Sequence, residues 1–254
     1  MRIRCSFPRS RQCWRTVGRL SAVSLLILSL FCSALAETVP AFYNPQNPPP
    51  YAAYHAASGD DYFTDAVFIG DSMMECVEMY GFFPSAKIVC KSGITSVDAN
   101  WRIFHITQWD QPRNIYEMIE YYGSTKIYIW LGSNSLDNVT SDEALRDYRG
   151  MIEEMIQCFP NALIYVITPP SLTKKAMQAK KLGVLRYYNF RKGLLKIAEE
   201  YKLYFLDYYA QVVNDEGYLI DIYDGGDGGH PSRRGVKVLE NLVRTHTVEF
   251  PAAQ

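Results

Sequence analysis

Short, unbroken apolar runs alternate along this chain with stretches of helical period. Ala66-Val67-Phe68-Ile69 stops at Gly70, and Lys126-Ile127-Tyr128-Ile129-Trp130-Leu131 stops at Gly132. Ala162-Leu163-Ile164-Tyr165-Val166-Ile167 runs towards Pro169-Pro170, Leu203-Tyr204-Phe205-Leu206 ends at Asp207, and Lys87-Ile88-Val89-Cys90 is a shorter member of the set. Continuous hydrophobicity, without a polar alternate, is what a strand covered on both faces requires. Between the runs, Leu145, Tyr148, Ile152, Met155, Ile156 and Phe159 recur at helical spacing behind a Ser141-x-Glu143 start. Met73 to Tyr80, Leu182 to Tyr201 and Val236 to Val243 read as helices as well. Strands separated by helices predict an α/β fold, a three-layer α/β/α sandwich around a parallel sheet of about five strands.

The first 36 residues break this rhythm. Arg2, Arg4, Arg9, Arg11, Arg15 and Arg19 precede an apolar run from Leu20 to Phe31, and Ala34-Leu35-Ala36 supplies small residues where a signal peptidase would cut. Residues 1–36 are therefore expected to be a secretory signal peptide. An uncleaved anchor is the alternative, although Ser21, Ser24 and Ser29 dilute a run already short of the roughly 20 apolar residues a membrane span needs. The expected location is secreted or extracellular, or surface-anchored should the segment stay attached. Residues 37–60, with Pro40, Asn44-Pro45 and Asn47-Pro48-Pro49-Pro50, read as an extended stalk or linker. Their tyrosines could instead pack on the domain as an arm. Residues 61–254 then form the one globular domain.

Charge narrows the partners. Taking six arginines from 26 basic residues leaves 20 against 27 acidic ones, a net charge of −7 for the chain after residue 36. An acidic domain argues against nucleic acid or anionic lipid as the partner. Three of the six cysteines, Cys76, Cys90 and Cys158, lie in that part, with no CxxC pair and no Cys/His cluster of metal-ligand spacing. One disulfide or three buried thiols are both compatible with them.

Parallel sheets of this kind carry their sites beyond the carboxyl ends of the strands. Ser72 follows the first run, Gly93 the second, Asn134 the third, and a loop with Asp227 and His230 comes after the last. The polar candidates thus gather at one edge of the sheet. Serine is a poor nucleophile unless a base takes its proton and donors receive the developing oxyanion. Ser72 opens a helix behind Gly70-Asp71, where free amides and the positive end of the helix dipole favour negative charge. An ordinary helix cap would look the same. His230 sits in Asp224-Gly-Gly-Asp-Gly-Gly-His-Pro231, where Asp227 can turn back and orient its imidazole. A calcium loop built on Asp221, Asp224 and Asp227 lacks EF-hand spacing and a terminal bidentate Glu. His55, His105 and His246 have no such setting. The amides of Ser72 and Gly93 and the side chain of Asn134 are the candidate oxyanion donors.

On these residues the chain resembles the SGNH, or GDSL-type, hydrolases, a family with four short motif blocks. Gly70-Asp71-Ser72 is similar to the first block, Gly93 to the second, Gly132-x-Asn134 to the third and Asp227-x-x-His230 to the fourth, over about Asp61 to His246. Met73 stands where the family name has Leu, and Ser135 where many members have Asp; neither change removes a catalytic group. The resemblance implies a flavodoxin-like fold, a catalytic triad of Ser72, Asp227 and His230, and an oxyanion hole of Ser72, Gly93 and Asn134. It calls for no metal and no organic cofactor. The expected activity is hydrolysis of short acyl esters, acetyl above all, on a carbohydrate, through an acyl-serine intermediate. An acyltransferase of the same fold and a non-catalytic carbohydrate-binding surface protein are the rival expectations. Tyr80, Phe82, Phe83, Trp101 and Trp109 would suit sugar stacking or an ordinary core equally.

Overall fold

A computed structural model describes residues 48–101 and 113–249, with the side chains of residues 99–101 left aside. The candidate signal peptide, the first part of the proline-rich stretch, His105 and Trp109 lie outside the described residues. The chain folds as β1 (Ala66–Gly70), α1 (Ser72–Met79), β2 (Lys87–Cys90), α2 (Ser96–Trp101), α3 (Ile115–Tyr122), β3 (Lys126–Trp130), α4 (Ser133–Asn138), α5 (Ser141–Cys158), β4 (Leu163–Ile167), α6 (Lys174–Ala179), α7 (Val184–Tyr201), β5 (Tyr204–Leu206), α8 (Tyr208–Val212) and α9 (Arg233–Thr245). The five strands are all parallel in the order β2-β1-β3-β4-β5. This is the expected α/β/α sandwich with the flavodoxin-like strand order.

The continuous apolar runs are explained by which neighbours each residue meets. Val67 and Ile69 of β1, Ile127 and Ile129 of β3, and Ile164 and Val166 of β4 join one buried cluster with α3, α5 and α7. The alternate residues, Phe68, Tyr128, Trp130, Tyr165 and Ile167, join a second cluster with α1 and α9. Every residue of β1, β3, β4 and β5 is buried, which is why these runs carry no regular polar alternate, while the edge strand β2 is only partly covered.

On the second face the register lines up one aromatic ring from each of β1, β3, β4 and β5. Phe68 is opposite Tyr128, Tyr128 opposite Tyr165, and Tyr165 opposite Tyr204. Their ring centroids are 4.5, 4.3 and 5.1 Å apart and the rings are stacked, with Phe83 continuing the row 4.6 Å from Phe68. Each such pair adds about 0.5–1.5 kcal/mol beyond the area it buries. Phe83 is thus a core residue and takes no part in sugar stacking.

Helix starts follow side-chain capping. Thr140 caps α5 and Glu143 reaches back to it, so the cap lies one residue before the Ser141 read from the sequence. Asn114 and Glu117 form the same box on α3. The described part of the proline-rich stretch lies on the domain. Phe205 N–H of the edge strand β5 donates to Pro50 O at 2.7 Å, His55 N–H to Thr245 O at 3.0 Å, and Ser58 N–H to Arg244 O at 2.9 Å. Residues 48–58 are therefore an arm laid from the β5 edge to the end of α9, and only residues before them are left for a stalk. Covering an edge strand also removes a row of open hydrogen-bonding groups. No disulfide joins any two of Cys76, Cys90 and Cys158. Among the described residues no helix is long and apolar enough to cross a membrane.

Candidate active site

The sheet reverses direction of winding between β1 and β3, and the site lies there. Gly70 ends β1 because nothing larger fits: a Cβ would stand 2.5 Å from Met74 Cβ and 2.9 Å from Trp130 O of the neighbouring strand. The chain turns at once into α1, placing Ser72 at its first position with Asp71 as the cap. Ser72 Oγ lies 2.7 Å from His230 Nε2, and His230 Nδ1 lies 2.5 Å from Asp227 Oδ2. Three residues separated by 158 positions of chain are thereby joined in one line: the serine hydroxyl can donate to the imidazole, whose other N–H donates to the carboxylate.

The loop holding Asp227 and His230 is built from its own amides. Asp227 Oδ1 accepts from the N–H of Gly229 at 3.0 Å and of His230 at 2.9 Å, while Asp224 Oδ1 accepts from Gly228 N–H at 2.9 Å. Burial works against the Asp227 anion, but the His230 amide and ring and the Gly229 amide outweigh it and hold its pKa down to about 2. Asp227 is therefore a carboxylate throughout the neutral range, as an orienter of imidazole must be. The two aspartates are committed to the loop, and among the described residues no three His, Cys, Asp or Glu side chains gather as a metal site would require.

The loop also leans on a neighbour that the sequence reading passed over. Thr173 N–H, at the start of α6, donates to Gly228 O at 2.9 Å. Gly228 has φ +91°, and a Cβ there would meet Ala176 Cβ at 2.4 Å and Thr173 Oγ1 at 2.9 Å. The α6 start thus fixes how far the loop reaches towards Ser72. Gly228→Ala is expected to push the loop outward and cut kcat by roughly a hundredfold, since about 1 Å of misplacement costs that much. Steady-state kinetics beside a melting curve check this: a variant that melts normally yet keeps full kcat would remove Gly228 from the positioning role.

Asp71 is the second residue sequence reasoning missed, having been read only as part of a turn. It is fully buried, and its Oδ1 accepts from Met73 N–H at 2.9 Å. Its Oδ2 accepts from Ser133 Oγ at 2.6 Å and from Asn134 Nδ2 at 3.2 Å. Asn134 Nδ2 also donates to Ile94 O at 3.0 Å, beside Gly93. Asp71 and Asn134 therefore tie together the turns after β1, β2 and β3, and bring Ser72, Gly93 and Asn134 to one place. Both protons of the Asn134 amide are directed at acceptors here, so donating to an oxyanion would draw one away from Asp71 or Ile94. The backbone N–H groups of Ser72 and Gly93 donate to no described residue.

Burial pushes the Asp71 carboxyl up from its ordinary 3.8 to about 6, against the pull of the Ser133 hydroxyl, the Met73 amide and His230. The native state then holds this proton to higher pH than the unfolded chain does. The contribution is present in full below pH 3.8 and is lost as pH rises to about 6, by about 3 kcal/mol for roughly two pKa units. Asp71→Asn has no such slope. Between about pH 4 and pH 7 the variant should gain up to about 3 kcal/mol relative to wild type, read from urea midpoints. A difference constant with pH would show that Asp71 does not titrate in this window. A buried charge kept at that cost marks a position held for the site rather than for stability.

No protein-family model matches the sequence, and no curated protein matches it. Solved structures do match. A GDSL-like lipase of Bacteroides thetaiotaomicron aligns over 74% of this chain and 89% of its own, with a TM-score of 0.51 at 16% identity. A lipase/acylhydrolase of Enterococcus faecalis aligns over 70% and 92%, with a TM-score of 0.51 at 17% identity. A proposed acylhydrolase of Bacteroides fragilis aligns over 70% and 83%, with a TM-score of 0.53 at 19% identity. The fold of this chain is the one these lipases and acylhydrolases share.

Proposed function

We propose that the protein is a serine esterase, and the observation that carries the reading is the Ser72–His230–Asp227 line at 2.7 and 2.5 Å. Ser72 Oγ attacks the ester carbonyl carbon while its proton passes to His230 Nε2. The tetrahedral oxyanion is received by the Ser72 and Gly93 amides, joined by Asn134 once its amide turns from Asp71 or Ile94. Collapse breaks the bond to the alcohol oxygen, which leaves with the proton from His230. Water, deprotonated by the same imidazole, then attacks the acyl-serine and restores the hydroxyl. Asp227 stays ionised and steadies the imidazolium at each stage.

We further propose that the esterase is exported and takes short acyl groups, acetyl above all, carried on a carbohydrate. The support is threefold. The His230 and Asp227 side chains are 41% and 57% exposed, so the site is open rather than sunk in an apolar groove. The sequence has no long apolar insertion to serve as a lid, and the acidic chain disfavours anionic membranes. The arginine-rich start, the Leu20–Phe31 run and Ala34-Leu35-Ala36 support export, which N-terminal sequencing tests: a start at Glu37 is expected, and one at Met1 would speak against cleavage. For the activity, kcat/KM on p-nitrophenyl esters should fall from acetyl to octanoyl, and acetate should be released from an acetylated glycan. A rise with chain length would point to a lipase-like site instead, and no turnover of any ester would remove the esterase reading.

A further inference from the structure

The outer face of the helical layer formed by α5 and α7 carries a groove that the ester chemistry does not use. It has a volume of about 480 Å³ and lies between Asp142, Leu145, Arg146 and Arg149 of α5 and Asn189, Lys192, Gly193, Lys196 and Ile197 of α7. Leu145, Gly193 and Ile197 form an apolar floor where the helices approach closely. The rim is polar and mostly cationic.

The cations differ in how they are engaged. Arg149 is committed, donating to Glu200 at 2.6 Å and to the Tyr201 hydroxyl at 3.0 Å. Arg146, Lys192 and Lys196 are exposed and form no ion pair with a described carboxylate. Lys192 stands 4.6 Å over the exposed Tyr188 ring. Asp142 is the one acid lining the groove; Glu143, drawn into the α5 cap by Thr140, also feels the charge of Arg146, and Glu200 is held by Arg149. Three exposed cations without a salt-bridge partner line one groove, against the net acidity of the chain beyond residue 36.

We infer that this groove binds an acidic polysaccharide, a chain of sugars bearing carboxylates, at a site separate from Ser72. The complementarity is chemical. The cations meet the carboxylates, Asn189 and Asp142 offer a donor-acceptor pair to hydroxyl groups, and the apolar floor accepts the C–H face of a sugar ring. Asp142 to Arg149 spans about 10 Å along α5 at 1.5 Å per residue, room for a short run of rings. The groove also starts at the catalytic edge of the sheet, since α5 follows directly on α4, which carries Asn134. A polymer held there would lie beside the site without entering it. Duplex nucleic acid is disfavoured by the overall charge, and an extended polyglutamate-like chain would bring no C–H face to the apolar floor.

The test is affinity electrophoresis of the whole protein through gels containing polygalacturonate, neutral xylan or poly-glutamate, with p-nitrophenyl acetate hydrolysis read in parallel. Polygalacturonate should retard the wild type, xylan should not, and rising salt should release it. The R146E/K192E/K196E variant should lose about tenfold or more in apparent affinity, and K192Q/K196Q an intermediate amount, with hydrolysis of the small ester unchanged in both. No retardation of the wild type overturns the inference, as does equal retardation of the variants. Stronger retention by poly-glutamate than by polygalacturonate would overturn it in favour of an acidic peptide. Because binding is read without turnover, failure here leaves the esterase reading standing, and loss of esterase activity leaves this one standing.

Discussion

Ser72→Ala should abolish turnover while leaving the fold intact, with kcat lower by at least about a thousandfold. The Ser72 hydroxyl makes one side-chain contact, to His230 Nε2, and the residue is only half-buried. The start of α1 is held by Asp71, which caps it through Met73 N–H, so removing the hydroxyl leaves the cap in place. Stability should therefore stay within a few tenths of a kcal/mol, in the range of substitutions that break no core or network contact. Residual activity should come from the oxyanion donors and substrate positioning alone. Kinetics on p-nitrophenyl acetate beside a thermal melt give both readings. Near-wild-type kcat in the purified variant would mean that another group attacks the carbonyl.

His230→Ala should cost about as much as Ser72→Ala, and the double variant little more than either, because a nucleophile without its base and a base without its nucleophile are equally idle. The geometry makes this a sharp test. His230 Nε2 meets Ser72 and Nδ1 meets Asp227, so both ring nitrogens are engaged by these two side chains and none is left for a separate task. The loop should survive the substitution, since Asp227 still accepts from the Gly229 and His230 amides, a backbone bond that alanine keeps. Multiplying losses in the double variant would place His230 in a step other than activation of Ser72.

The sheet was legible because its signal is local and strong. Runs such as Ala66–Ile69 and Lys126–Leu131 cannot be left in water, and their length fixes them as strands. The long helices α5 and α7 were legible for the same reason. The helices α4, α6 and α8 were not, being five or six residues each. Helices that short gain little from propensity and exist through the contacts they make in the finished fold. The eight-residue α3 did leave a mark in the sequence, the Asn114-x-x-Glu117 box, which went unread.

Within the site, Ser72, Asp227 and His230 were legible as residue types in turns at the right edge. Asp71, Ser133, Thr173 and Gly228 were not, for one physical reason. Their roles depend on what the neighbouring turn presents to them, and pairings such as Thr173 with Gly228 are set by the sheet order. An aspartate before a helix is a cap by default; only burial beneath Ser133 and Asn134 gives Asp71 its raised pKa and its tie to the turn after β3. Asn134 was placed correctly in the chain, yet the acceptors now holding its amide could not have been named without the turn after β2.

The arm has a bearing on how the domain is presented to its surroundings. Pro49 shares a hollow with Phe159, Pro160, Ala162, Leu163 and Leu203, at the point where β4 and β5 begin. Ser72 and His230 lie past the points where the strands finish. The described part of the chain therefore begins at the end of the sheet opposite Ser72 and His230. A dye or tether attached at Pro49 would stand at the far end of the sheet from Ser72 and His230, and ester turnover should be indifferent to it.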